Sequence, residues 1–495
     1  MNNPVILAID QGTSGTKAIV FNKAGEILSR GSVPLKSYYP KTGFVEQDPE
    51  EIYQNVLDST RACLTEFVAG GGDIKDIMTS GISNQRETLV VWDDKGKPLH
   101  NAVVWQCKRS VDICNRLQKE GLEKTINRKT GLIIDPYFSG TKMIWLYENN
   151  ATLRKAVDEG KAFFGNVDTW LLYRLTGGES YKTDYSNASR TLFFDLEQLI
   201  WDQELLTAFG LQNLNLPEPV PSSFSFGTSD FNGLFETAIP ITGMIGDSHA
   251  AAFGEGCYRA GTAKATLGTG SSILWNAGPK RISSTMGMVS TICWSTADRV
   301  DYALEGVIVS CGATIEWLKN QLGLFAESRE TEAMARSVPD NNGVYLIPAF
   351  SGLGGPHWKM DARARITGLT FGADKNHIVR AALESIPFQI KDVIAAMEEE
   401  SGLPLEELKV DGGISANQFV VQTLSDLLNT RVTNIGMADV SALGAALMAG
   451  LGSDIFANIE ELEAIQQQQH TYQPQADGEE LLTAYQGWIK EIEKL

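Results

Sequence analysis

Disulfides, membrane spans and basic patches are what this sequence does without. Its six cysteines (Cys63, Cys107, Cys114, Cys257, Cys293 and Cys311) are scattered over 495 residues, with no C-x-x-C pair and no metal-ligand spacing. That usage speaks against a disulfide scaffold and fits a reducing compartment. Long apolar runs are missing too, since no window approaches the roughly 18 residues of a spanning helix. The N-terminus has no basic segment, and Asp10 interrupts its one apolar stretch. Neither a leader nor a membrane partner is therefore expected, and a cytoplasmic protein is the reading. Positive charge is the third deficit: 42 Lys and Arg stand against 61 Asp and Glu, a net charge of −19. This balance argues against nucleic acid or an anionic membrane surface as partner. Any phosphate site must be built locally, from backbone donors, a metal and a few chosen cations. Low-complexity sequence is confined to Gln466–Gln469, which reads as a solvated linker.

What the chain does have is length for two large domains and 43% hydrophobic residues to fill them. It also has two copies of one unusual pattern. Val5–Phe21 and Ala265–Trp275 are each an apolar strand, a turn of Gly, Thr and Ser, and a second strand. In the first, the turn residues are Gln11, Gly12, Thr13 and Ser14, with Lys17 just beyond; in the second they are Gly268, Thr269 and Gly270. Backbone N–H groups and hydroxyls in such a turn form a concavity suited to phosphate oxygens. Asp10, at the lip of the first turn, is a natural site for Mg²⁺, which prefers carboxylate and phosphate oxygens. Asp10 and Thr13 are also common turn-capping residues, but the second hairpin favours a duplicated nucleotide clamp.

Periodicity organises the rest. Val5–Ile9, Lys17–Phe21 and Glu26–Val33 read as an antiparallel start, followed by a helix over Pro49–Phe67. Ile77–Ser83 and Glu87–Trp92 read as a further strand pair, and Thr141–Asn150 and Asp168–Leu175 as helices. A Gly-rich strand, Thr242–Gly246, leads to an expected boundary near residue 250, dividing domains at 1–250 and 251–495. The second half repeats the logic, with helices over Gly312–Leu322 and Lys375–Glu400 and a strand over Leu408–Val410. The strand runs into Gly412 and Gly413, whose backbone can approach a base or ribose without a Cβ in the way. Asn417 then either caps the next helix or bonds the nucleotide. A helical tail is expected from about residue 459, ending in an amphipathic helix packed on the body.

Asp247, at the end of the Gly-rich strand, is either a structural cap or the group that takes a proton from a substrate hydroxyl. His249 reads as packed rather than reactive. Arg86–Glu87, with Trp105, Arg109 and Tyr137 on loops, supplies what a polyol needs: hydroxyl partners and an aromatic wall for carbons.

These residues resemble the FGGY carbohydrate kinases, of the actin and heat-shock chaperone ATPase superfamily. Tyr137–Asn149 and Ala364–Glu384 match that family's two signature stretches, and the likeness runs from Ile6 to about Gly450. Phe44–Glu51, Asn84–Thr88, Val104–Gln106 and Thr183–Arg190 are most similar to its glycerol-kinase branch. The resemblance implies two ribonuclease-H-like α/β domains around a cleft, ATP and Mg²⁺, and a small polyol substrate. A homodimer or homotetramer is expected. It further implies that Arg86, Glu87, Tyr137 and Asp247 hold hydroxyls, that Trp105 faces carbons, and that Asp247 is the general base. Asp10, through water, and Asp247 would hold Mg²⁺. Thr13, Gly268, Thr269, Gly312, Gly412 and Asn417 would contact ATP. Three departures bear on substrate. Ser248 and His249 stand where that branch usually has two Gln, Ser272 where it has a Phe, and Cys107 where it has an Asp. The two serines should widen the pocket toward a longer polyol or ketose. The segment after Phe226, read as a loop, lacks the His through which some relatives are controlled by the phosphotransferase system, so no such control is expected.

Overall fold

The computed structural model describes residues 4–359, 361–465, 469–475 and 478–495; the Gln-rich linker therefore lies mostly outside the described residues. Two sheets dominate. In the first, six strands run in the order Ser223–Ser229, Ile239–Gly246, Ile77–Asn84, Val5–Gln11, Gly15–Asn22 and Ile27–Pro34. In the second, seven run Val289–Ser295, Val300–Ile308, Ser271–Gly278, Thr262–Leu267, Glu407–Asp411, Val432–Asn434 and His470–Tyr472. The centres of the two sheets are alike. An antiparallel Gly hairpin lies beside a parallel strand supplied from much later in the chain. Helices cover both faces, so central strands such as Val5–Gln11 are buried nearly throughout and read as continuous apolar runs rather than alternating ones.

Local chemistry explains the main helix starts. Asp48 accepts the backbone N–H of Glu50, and Pro49 opens the helix Pro49–Ala69 where its missing N–H costs nothing. Asp374 and His377 form a reciprocal cap on the helix Lys375–Ser401. Helix Glu479–Glu493 packs on the body through buried Trp488 and Ile492, with the Trp488 indole N–H donating to the Leu346 carbonyl at 3.2 Å.

One helix ties the halves together. Val440–Gly452, late in the chain, lies against the first sheet and crosses the helix Asp247–Gly254. The crossing is made of small residues: a Cβ on Gly444 would stand 1.8 Å from the Ala250 carbonyl oxygen. One apolar cluster accordingly joins Ile6, Ala8, Ile19 and Phe21 to Leu443, Ala445 and Ala449.

Two expected elements fall elsewhere. Leu89–Trp92 does not pair with Ile77–Asn84; it joins a separate four-stranded sheet with Glu46–Gln47, Ala102–Val103 and Phe163–Asn166. Glu87, at φ 57°, sends the chain out of the first sheet. The segment after Phe226 is also not all loop, because strand Ser223–Ser229 carries it to Ser229 along the sheet edge.

Candidate active site

A cavity of about 750 Å³ opens between the two hairpin-bearing sheets. One end is lined by Thr13, Arg86, Glu87, Trp105, Tyr137, Asp247, Ser248 and Ser272, the other by Gly412, Gly413, Ser415, Ala416 and Asn434. Lys264, Thr266 and Asp411 line it as well.

The first end is a charge network assembled from distant parts of the chain. Arg86 and Glu87 are both buried, yet they do not pair with each other. Arg86 reaches Glu305 through Nη2 at 2.9 Å and Asp247 through Nε at 3.3 Å. Glu87 accepts from the Nε of Arg190 at 2.5 Å, and Arg190 joins it to Glu305 at 2.6 Å, so the chain of charges runs Asp247, Arg86, Glu305, Arg190, Glu87. Burial alone would raise the Glu305 carboxyl, but Arg190 and Arg86 on either side hold it well below the usual range. Burial opposes the charge on Arg86 too, and Glu305 leads the neighbours that keep it protonated. Gly246 makes this possible: a Cβ there would meet the Arg86 side chain at 2.7 Å.

An aromatic wall stands beside the network. Trp105 and Tyr137 meet edge to face with centroids 5.6 Å apart, and the Trp105 indole N–H donates to Thr13 Oγ1 at 2.9 Å. That bond ties the wall to the first Gly turn. Gln47 donates to the Thr13 carbonyl at 2.8 Å, and Gln85 bridges Gln47 and Gln11. Lys142, fully buried, donates to the Pro136 and Tyr137 carbonyls and so fixes the loop that carries Tyr137. Burial brings that ammonium down to about 7.

Asp247 opens the helix Asp247–Gly254 and accepts the N–H of Ser248 at 2.7 Å, its side chain still 39% exposed to the cavity. Asp10 lies close enough to couple with it electrostatically. Burial pushes the Asp10 carboxyl up to about 6; Asp247 and Asp439 add to the rise, while Lys17 and the Ser83 hydroxyl, at 3.0 Å, oppose it. Asp10 lies just behind the lining that carries Asp247, and two coupled carboxylates are an unfavourable pair that a hard divalent cation would relieve. No cluster of three or more His, Cys, Asp or Glu able to hold a metal by itself occurs among the described residues. The residues present therefore fit a cation shared with phosphate oxygens and water.

Each turn is closed by a backbone bond from its first residue to its last, Gly12 N–H to Gly15 O at 2.9 Å and, one residue tighter, Gly268 N–H to Gly270 O at 3.0 Å. Gly312 packs on the second turn, its N–H donating to the Gly268 carbonyl at 2.9 Å. Gly412 sits at φ 87° with the Leu267 backbone 2.6 Å from where a Cβ would be.

Several expected site residues lie off the cavity lining. Gln11 is buried and spends its amide on Gly12 and Gln85. Lys17 turns to Asp439 at 2.8 Å. Asn417 caps the helix Gln418–Leu428 and donates to Thr331. Gly12, Ser14, Gly268, Thr269 and Gly312 belong to or brace the turns without lining the cavity. Arg109 is sequestered by Glu46 at 2.6 Å, and Cys107 is buried beside it. His249 is buried with neither ring nitrogen hydrogen-bonded, and burial next to Arg86 and Arg190 keeps it neutral. Sequence reading did not single out Arg190, Glu305 or Lys264. The available signal was a charged residue set inside an apolar strand, as at Lys264 in Thr262–Leu267 and Glu305 in Val300–Ile308.

Comparison with known proteins agrees with this geometry. The model of the N-terminal domain of the FGGY family of carbohydrate kinases matches residues 5–254, and that of its C-terminal domain matches residues 263–453. A glycerol kinase of Thermoanaerobacter pseudethanolicus is 44% identical over 490 residues, 99% of this chain and 98% of that one. The crystal structure of Plasmodium falciparum glycerol kinase with ADP superposes with a TM-score of 0.94 at 34% identity, covering 99% and 98% of the two chains. A xylulose kinase of Lactobacillus acidophilus shares the fold at TM-score 0.86 and 21% identity, over 99% and 96%. The ribonuclease-H-like architecture expected from the sequence is thus the one observed, and the chain belongs to the FGGY family of carbohydrate kinases, ATP-dependent phosphotransferases.

Proposed function

We propose that this protein transfers the γ-phosphoryl group of ATP to a terminal hydroxyl of glycerol, giving glycerol 3-phosphate. The observation that carries the reading is the position of Asp247. It lines the same cavity as Arg86, Glu87, Trp105 and Tyr137 and as the glycines Gly412 and Gly413. Arg86, Glu87 and Tyr137 offer hydroxyl partners, and Trp105 offers a face for carbons. Asp247, partly exposed and acceptor-only when ionised, takes the hydroxyl proton as the oxygen attacks phosphorus. The turn of Thr13 and Ser14, closed by the Gly12 N–H, faces the phosphates from one lobe. Gly268, Thr269 and Gly312 face them from the other, and Gly412 and Gly413 make room for the nucleoside. Asp10, through water, and Asp247 would hold Mg²⁺, which when bound neutralises phosphate charge. Most of the acceleration then comes from position and fixed charge rather than covalent chemistry.

The likeness to glycerol kinases over nearly the whole chain supports glycerol as substrate. Ser248 and Ser272, both on the lining, favour a second reading in which a tetritol or pentulose is also accepted. A cytoplasmic location and a homodimer or homotetramer are the expected setting; the six cysteines are free, and among the described residues no helix is long and apolar enough to cross a membrane. The test is ADP formation with ATP, Mg²⁺ and a panel of glycerol, erythritol, xylulose and ribulose. Glycerol as best substrate is the expected result; a pentulose turned over while glycerol is ignored would overturn it.

A further inference from the structure

Lys264 is a buried cation with nothing of opposite charge bound to it. It is 1% exposed, in the middle of strand Thr262–Leu267. Its ammonium donates to two hydroxyls, Ser248 Oγ at 3.1 Å and Thr266 Oγ1 at 2.6 Å, and among the described residues it makes no ion pair. A lysine has three N–H donors, so one remains. An ammonium taken out of water without a counter-charge costs several kcal/mol, and such groups persist where a ligand supplies the missing partner. The nearest acids do not fill that role. Glu255 makes no ion pair with Lys264, and burial together with the neighbouring Asp411 raises its carboxyl well above the usual range. Asp411 shares the cavity lining, and one of its oxygens is without a hydrogen bond.

The neighbours of Lys264 define what the partner is. Ser248 follows Asp247, the proposed base. Thr266 occupies, in the second hairpin, the place Asp10 holds in the first: each stands two residues before the first glycine of its turn. Lys264 is therefore strung between the base and the second turn, on the lining of the same cavity. Resting on the kinase reading above, we propose that Lys264 binds the γ-phosphoryl group of ATP and holds it while it passes to the polyol. In that step the bond from Pγ to the β,γ-bridging oxygen breaks with its electrons going to ADP. The polyol oxygen forms the new P–O bond, and its proton goes to Asp247. Lys264 makes and breaks no bond; its charge stays on the equatorial phosphoryl oxygens throughout.

The experiment uses the full-length protein and two variants, Lys264→Met and Lys264→Arg. Affinities for ADP and for the β,γ-imido analogue of ATP are measured by calorimetry with glycerol present, beside steady-state turnover. For Lys264→Met the expected result is ADP affinity within about threefold of wild type, analogue affinity at least about tenfold weaker, and kcat lower by roughly 10²–10³. Lys264→Arg should recover part of both losses. A residue that only braces Ser248 and Thr266 would weaken ADP and the analogue equally, and that result, or an unchanged kcat, overturns the proposal. Should the Met variant not fold, a crystal structure of the wild type with ADP, aluminium fluoride and glycerol decides. Nζ within hydrogen-bond distance of a fluoride is expected, and Nζ bound to Ser248 and Thr266 alone refutes it. Absence of glycerol turnover in the wild type would instead remove the proposed substrate, leaving the comparison of ADP with its triphosphate analogue to judge Lys264.

Discussion

The two glycine hairpins share a strand arrangement and differ in charge. In the first, a carboxylate on the hairpin strand (Asp10) pairs in register with a hydroxyl on its parallel neighbour (Ser83). In the second the types are exchanged, with a hydroxyl on the hairpin strand (Thr266) opposite a carboxylate on the neighbour (Asp411). Two residues upstream, Ala8 in the first lobe is matched by Lys264 in the second. A duplicated fold thus carries a carboxylate on the hairpin strand of one lobe and a lysine on that of the other. Triphosphate needs both signs around it, because its own charge must be neutralised while the attacking hydroxyl gives up a proton.

The largest expected effect breaks the arrangement at the point both lobes serve. Asp247→Asn should lower kcat by at least about 10³ while glycerol and ATP affinities stay within a few-fold, because the amide fills the same space but accepts no proton. Rapid-quench and equilibrium binding measurements separate the two; near-normal turnover removes Asp247 from the chemistry.

Next come the glycines, where the comparison predicts unequal tolerance. Gly412→Ala meets both a left-handed φ and the Leu267 backbone 2.6 Å away, so a stability loss of about 1–3 kcal/mol and weaker nucleotide binding are expected. Gly12→Ala meets only the Gly15 carbonyl at 3.4 Å, outside the left-handed region, and should change stability by less than about 1 kcal/mol. Urea titrations of both variants check the ranking, and equal losses would contradict it.

Asp10 gives a trade between stability and activity. Its folded value of about 6 lies above the ordinary 3.8. The folded state therefore holds this proton more tightly, and stability falls as pH rises from about 4 to 6. Asp10→Asn should stabilise the nucleotide-free protein by about 1–3 kcal/mol above pH 6, with the gain vanishing near pH 4. Turnover should fall in the same variant. Thermal midpoints measured from pH 4 to 8 test the sign, and a constant difference would contradict the burial argument.

The smallest effect is set for Lys17. Its ammonium is half exposed and already engaged with Asp439, so Lys17→Ala should cost less than about 1 kcal/mol and leave the KM for ATP within about threefold. A tenfold rise would restore the phosphate role that its place after the first turn suggested.

What the sequence made legible was what is local. Both hairpins announce themselves within a dozen residues through turn glycines between β-branched strands, and the helix at Pro49 through its Asp cap. Arg86, Glu87, Trp105, Tyr137 and Asp247 were each marked by a polar or aromatic residue at a strand end or in a loop, and all five line one cavity. The partners that fix them were not legible, because they come from far along the chain. Glu305 lies 219 residues from Arg86, and Arg190 103 residues from Glu87. Nothing in the spacing of either pair betrays the contact. Lys17 misled for the same reason, since its partner is 422 residues away. The strand expected from Glu87 is present as Leu89–Trp92, but its pairing with Ile77–Asn84 failed differently: Glu87, in the left-handed region, redirected the chain, and Glu is not a residue whose type advertises that conformation.

The late helix Val440–Gly452 has a consequence for how this protein is made. The face of the first sheet that it covers is complete once residue 254 is synthesised, but its cover is about 190 residues further on. At ribosomal speeds that delay is roughly 10–40 s, during which Ile6, Ala8, Ile19 and Phe21 lie open on a nascent chain. Synthesis, rather than the finished enzyme, is when this molecule most needs a chaperone.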